Sequence, residues 1–184
     1  MPSRFIRCYC CMYPLWAVAL VKNDLLTLSK RVSSPPAPPG CPAPYKTFGG
    51  RWCLLVVVAA PDNGPGEPLV WNDARAKCGE ANGALAVIDN HDKLQLLSKF
   101  IDEKYPAETK GGWTYFVGAQ NVNSKWIWSN SADVELQSNL WVPSHPQPQN
   151  EISMLVPIDK THGRRYIISN APNTFAPGYI CERF

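Results

Sequence analysis

Apolar positions along this chain follow two patterns, a helical spacing in some stretches and short aromatic or β-branched runs between turn residues in others. Trp71, Ala74 and Cys78 stand at i, i+3 and i+7, so on a helix they share one face. A helix over about 70–81 is predicted, stopped by Asn82-Gly83. A second helix is predicted from the capping and acidic residues Asp89-Asn90-His91-Asp92, followed by Leu94, Leu97, Phe100 and Ile101 at helical spacing, and should end near Tyr105-Pro106. Tyr45 to Phe48 and Trp52 to Val58 read as a hairpin across Gly49-Gly50. Phe116-Val117-Gly118-Ala119, Trp126-Ile127-Trp128 and Tyr179-Ile180-Cys181 read as further strands. Pro61 to Pro68 is a turn region, and residues 118–150 are mostly polar, with Pro143, Pro146 and Pro148 crowded after Trp141. A long loop inside a compact domain is usually functional.

Charge and cysteine usage divide the chain. Residues 1–40 carry five basic side chains against Asp24 alone, whereas residues 41–184 carry 13 basic and 14 acidic ones. The basic balance therefore belongs to the leader and does not argue for nucleic acid as a partner. Arg4 and Arg7 precede an apolar stretch from Cys8 to Val21, with Ala17-Val18-Ala19 as a small-x-small cleavage site. Residues 1–19 read as a signal peptide, or as a short anchor in which Cys8, Cys10 and Cys11 become candidates for palmitoylation. Residues 20–40 form a linker that ends in the extended, proline-rich Ser33 to Gly40, and residues 41–184 form the domain. The expected location is secreted and extracellular, with membrane attachment only if the leader is retained.

Four cysteines, Cys41, Cys53, Cys78 and Cys181, lie in the domain. Zinc is disfavoured, because no Cys-x-x-Cys spacing is present there and the three histidines are scattered at 91, 145 and 162. No Gly-x-Ser-x-Gly, phosphate-binding glycine loop or His-Glu-x-x-His occurs, so no catalytic residue is assigned and the chain is not expected to be an enzyme.

Taken in order, Cys41-Pro42, Cys53, Trp71-x-x-Ala74-x-x-x-Cys78, Phe116 to Ala119, Trp126-Ile127-Trp128, Trp141 and Tyr179-Ile180-Cys181-Glu182 resemble the C-type lectin-like domain over residues 41–184. The resemblance implies an α+β fold, with two helices, two small antiparallel sheets and a long ligand-binding loop. It also implies the disulfides Cys41–Cys53 and Cys78–Cys181, and hence an oxidising, extracytoplasmic compartment. Trp141 would be a core residue at the loop base; Trp126 and Trp128 alternate on a strand, so at least one is expected to be core, and spacing singles out neither Trp113 nor Tyr115 as a stacking surface for a sugar.

Sugar-binding members of that family hold calcium with a Glu-Pro-Asn or Gln-Pro-Asp tripeptide, a later acidic residue and a Trp-Asn-Asp tripeptide. The corresponding positions here are His145-Pro146-Gln147, Glu151, and Ser169-Asn170 after Ile168, and of these only Glu151 has a carboxylate. Calcium takes six to eight oxygen ligands and relies on carboxylates to offset its dehydration, so no metal or other cofactor is expected. The stretch from Gln120 to Lys125 holds no acidic residue, and Asp133 and Glu135 read as solvated. The matching proline of the family follows a cis bond, which would aim His145 and Gln147 together with Glu151. Another disulfide usual in the family would fall on Ser153 and Asn173, so the loop is expected to be looser here. The resemblance thus implies a non-catalytic module for an extracellular glycan or protein, with His145, Pro146, Gln147, Glu151, Ser169 and Asn170 as candidate ligand-binding residues.

Overall fold

The structure, a computed structural model, describes residues 40–58, 68–157 and 164–184. The expected signal peptide, almost all of the linker and nearly all of the turn region Pro61 to Pro68 lie outside the described residues. In chain order the elements are β1 (Lys46–Phe48), β2 (Trp52–Val58), β3 (Leu69–Val70), α1 (Trp71–Glu80), β4 (Ala84–Leu85), α2 (His91–Lys104) and α3 (Pro106–Gly111). They continue with β5 (Tyr115–Val122), β6 (Lys125–Ile127), β7 (Ile152–Pro157), β8 (Arg165–Asn170), β9 (Phe175–Ala176) and β10 (Gly178–Arg183).

The helices form where the spacing predicts them. α1 buries Trp71, Ala74 and Cys78 and stops before Asn82, which takes φ 60. α2 starts at Asn90, whose side-chain oxygen accepts from the N–H groups of Asp92 at 2.8 Å and Lys93 at 3.3 Å. α3 is an addition to the two expected helices. Pro106, read as a stop, sits instead at the first turn of a new helix, where its missing N–H costs nothing, and Gly112 ends that helix at φ 73.

The α+β architecture is as expected, with one difference in how the strands join. The main sheet runs β1-β2-β10-β5-β7-β8, with β4 on β10 and β6 on β5, while β3 and β9 form a separate pair. β10 pairs antiparallel with β2 and parallel with β5, and so fuses the two expected small sheets into one. Side chains alternate between two buried clusters along these strands. Tyr115, Val117, Leu155, Ile167 and Ile180 face one cluster, which contains the inner face of α2. Phe116, Met154, Ile168 and Cys181 face the other, which contains the Trp71-Ala74-Cys78 stripe of α1.

Both expected disulfides are present. Cys41–Cys53 ties the segment before β1 to β2, and Cys78–Cys181 ties α1 to β10 across 103 residues. A buried ion pair lies beside the second bridge, with Lys93 Nζ 2.8 Å from Glu182 Oε1 and also donating to the Val87 carbonyl. At Gly118 the chain passes too close to β4 for any side chain, since a Cβ there would sit 2.5 Å from the Leu85 carbonyl oxygen.

Candidate ligand-binding site

Between β6 and β7 the chain makes one long excursion, residues 128–151, without a helix or strand of its own. Its base is anchored by tryptophans. Trp126 and Trp141 are both buried and meet edge to face at 5.6 Å, and Trp128 is buried beside them. All three are therefore core residues. Tyr115 is fully buried as well, which removes it as a stacking surface for a sugar, and Trp113 is half-buried.

Beyond Trp141 the loop is stitched along the outer edge of β8. Val142 N–H donates to the Ile167 carbonyl at 2.9 Å, and Ile167 N–H donates to Leu140 at 2.8 Å. One residue pair further, the same edge presents Ser169, and here side chains take over from backbone. Ser169 N–H donates to His145 Nδ1 at 3.0 Å, and Ser169 Oγ lies 3.0 Å from the same nitrogen. That oxygen accepts from Gln147 N–H at 2.8 Å and from Asn150 Nδ2 at 3.0 Å. Asn150 Nδ2 also reaches the Ser169 carbonyl at 2.9 Å. The Ser169 hydroxyl is thus saturated, with two donors on its oxygen and its own proton directed at His145. Burial is the sole cause that holds the His145 pKa below the usual histidine value, in keeping with a neutral ring whose Nδ1 accepts.

The structure brings together three of the six candidates around a hydroxyl, His145 and Ser169 through their side chains and Gln147 through its backbone N–H. Pro146 lies between His145 and Gln147 and follows a cis peptide bond. Glu151 and Asn170 do not join them through their side chains. Glu151 is exposed and takes part through its backbone, donating to the Asn170 carbonyl at 3.0 Å and accepting from Asn121 N–H at 2.8 Å. The Asn170 amide turns away, accepting from Ala171 N–H and approaching Met154 Sδ at 3.7 Å. Asn150 is a member that the sequence reading did not single out. Its only signal is its place beside Glu151, and an asparagine in a polar loop does not announce what it will bond.

These residues do not fit calcium. The hydroxyl and the imidazole nitrogen that would face an ion are committed to one another, and the Gln147 side-chain oxygen accepts from Gln149 Nε2 at 2.9 Å. A single carboxylate remains, on Glu151, and one carboxylate offsets little of the ion's dehydration. Among the described residues no three His, Cys, Asp or Glu side chains come together to hold a metal. Asp133 is paired with Lys125 at 2.7 Å and mostly exposed, and Glu135 is exposed.

Two further serine and amide features shape the ground beneath the loop. Ser153 stands where the pairing of β5 with β7 slips between Val117 and Gln120. Its hydroxyl accepts from Ala119 N–H at 2.9 Å and lies within bonding distance of the Ala119 and Val117 carbonyls, so it satisfies the irregular stretch of backbone. On the outer side of the loop, a cleft of about 550 Å³ opens between the segment at Gln137 and Asn139 and the segment at Ser144, His145 and Pro146. Its lining carries no Asp, Glu, Lys or Arg.

The fold of the chain matches known proteins. The model of the lectin C-type domain matches residues 67–183. No curated protein matches the chain. Among solved structures, human lithostathine is similar with TM-score 0.58 and 16% identity, covering 78% of this chain and 98% of its own. The carbohydrate-recognition domain of the mouse scavenger receptor C-type lectin is similar with TM-score 0.56 and 18% identity, covering 78% and 95%. The C-type lectin domain of murine dendritic cell inhibitory receptor 2, solved in complex with an N-glycan, is similar with TM-score 0.56 and 16% identity, covering 78% and 98%. At these identities the likenesses show the fold, while the family model covers most of the chain: it belongs to the C-type lectin domain family.

Proposed function

We propose that this chain is an extracellular, non-catalytic recognition module that binds a carbohydrate on its long-loop surface without calcium. The observation that carries the reading is the uncharged cleft beside His145, where side-chain amides of Gln137 and Asn139 and the Ser144 hydroxyl stand ready for the hydroxyls of a neutral sugar. The related murine receptor domain in complex with an N-glycan supports a glycan as the ligand class. Pro146 lines the cleft with His145, and the remaining candidates Gln147, Glu151, Ser169 and Asn170 lie outside its lining. Absence of catalysis is supported by the state of the serine–histidine pair that joins the loop to β8. Ser169 is only 2% exposed and both acceptor positions of its oxygen are occupied, so it cannot act as a nucleophile. Secretion is supported by the reading of the leader as a signal peptide and by two disulfides in the domain.

Binding of the oxidatively folded protein to a panel of immobilised glycans, with calcium and with chelator, tests this. Retained binding in chelator, weakened about tenfold or more by Asn139→Ala with Gln137→Ala, is the expected result. Binding that appears only with calcium contradicts the metal-free site. No glycan bound in either condition favours a protein ligand, or an inert structural role for the loop face.

A further inference from the structure

Among the bonds that fasten the loop to β8, one imidazole nitrogen serves two donors, Ser169 N–H and the Ser169 hydroxyl. Both bonds need the lone pair of Nδ1, so the proton of the neutral ring resides on Nε2. We propose that protonation of His145 releases residues 143–149 from β8, so that the loop surface is organised at neutral pH and loosened in a mildly acidic compartment. An imidazolium carries N–H on both nitrogens. Nδ1–H would then face Ser169 N–H, donor against donor, and a buried backbone donor would lose its only acceptor. Gln147, held through the same hydroxyl, would lose its register with the strand, while Asn150 keeps its bond to the Ser169 carbonyl.

Nothing around the ring offsets the charge. Residues 136–150 include no Asp, Glu, Lys or Arg, and β7 has no titratable side chain. β8 contributes Arg165, at its far end and paired with Asp102, and Tyr166. The flanking carboxylates, Glu135 and Glu151, are both exposed. Burial lowers the ring's pKa from the ordinary value of 6.5, so release belongs below that pH. The backbone bonds between Leu140, Val142 and Ile167 do not titrate, which confines the opening to the distal part of the loop.

The proposal takes its functional meaning from the loop being the binding surface, yet its test needs no ligand and fails or succeeds apart from that reading. Nitrogen NMR of the folded protein follows the His145 ring, and amide hydrogen exchange follows Ser169 and Gln147, between about pH 7.5 and pH 5. After correction for intrinsic exchange rates, protection of both amides should fall about tenfold or more across the His145 titration. His145→Asn keeps an acceptor near the Nδ1 position and does not titrate, so protection should persist in that variant at acid pH. Protection that survives protonation of His145 in the wild type overturns the proposal, as does an identical loss in His145→Asn.

Discussion

At the scale of single residues, the account rests on buried polar groups whose partners are all named. Ser169→Ala leaves Gln147 N–H and one Asn150 N–H without an acceptor, so it should cost about 1–3 kcal/mol in urea unfolding. A surface role for that serine predicts no loss. His145 sets a pH dependence with a definite sign. Its folded pKa lies below the unfolded value, so the unfolded chain binds more protons, and stability is fully present above the unfolded value and falls as pH drops through the folded one. Urea midpoints measured from pH 7 downward should show that decline, and His145→Asn should flatten it. Lys93→Ala strands the Glu182 carboxylate, whose side chain is 5% exposed and whose pKa burial already raises against the pull of Lys93. Loss of about 3–5 kcal/mol is expected, measured by urea unfolding, with part of it recovered in Lys93→Met/Glu182→Gln.

At the scale of elements, the sequence was most legible where the pattern is periodic. The Trp71-Ala74-Cys78 spacing, the Asn90 cap and the Gly49-Gly50 hairpin all reappear in the structure because each depends on neighbours a few residues away. β7 and β8 were harder. Ile152–Pro157 is a short, mostly apolar run interrupted by Ser153, which periodicity cannot assign, and its strand identity comes from pairing with β5 and β8 on both sides. Pro106 misled because the same residue ends one helix and opens the next. The site followed the same rule. The positions of His145, Gln147 and Ser169 could be counted from Trp141 and Cys181, but the closed cluster they form depends on loop and strand meeting in space. Ser153 shows what such contacts do. Seen as a missing cysteine it implies a looser loop, whereas its hydroxyl fills the irregularity between β5 and β7. Ser153→Ala should therefore lower stability by about 1–3 kcal/mol in thermal or urea unfolding, and an unchanged midpoint would contradict that role.

At the scale of the whole molecule, β10 holds the fold together, since it pairs with β2, β4 and β5 and bears both Cys181 and Glu182. Cross-linking across 103 residues removes unfolded-state entropy worth about 4.7 kcal/mol, so Cys78→Ala/Cys181→Ala should unfold at far lower urea concentration. Above this frame the loop is held by neutral hydrogen bonds centred on Ser169. The most direct test of that claim is a calorimetric titration of calcium into the oxidatively folded, chelator-treated protein. The account predicts no binding heat, and heat fitting a dissociation constant at or below about 1 mM would contradict it.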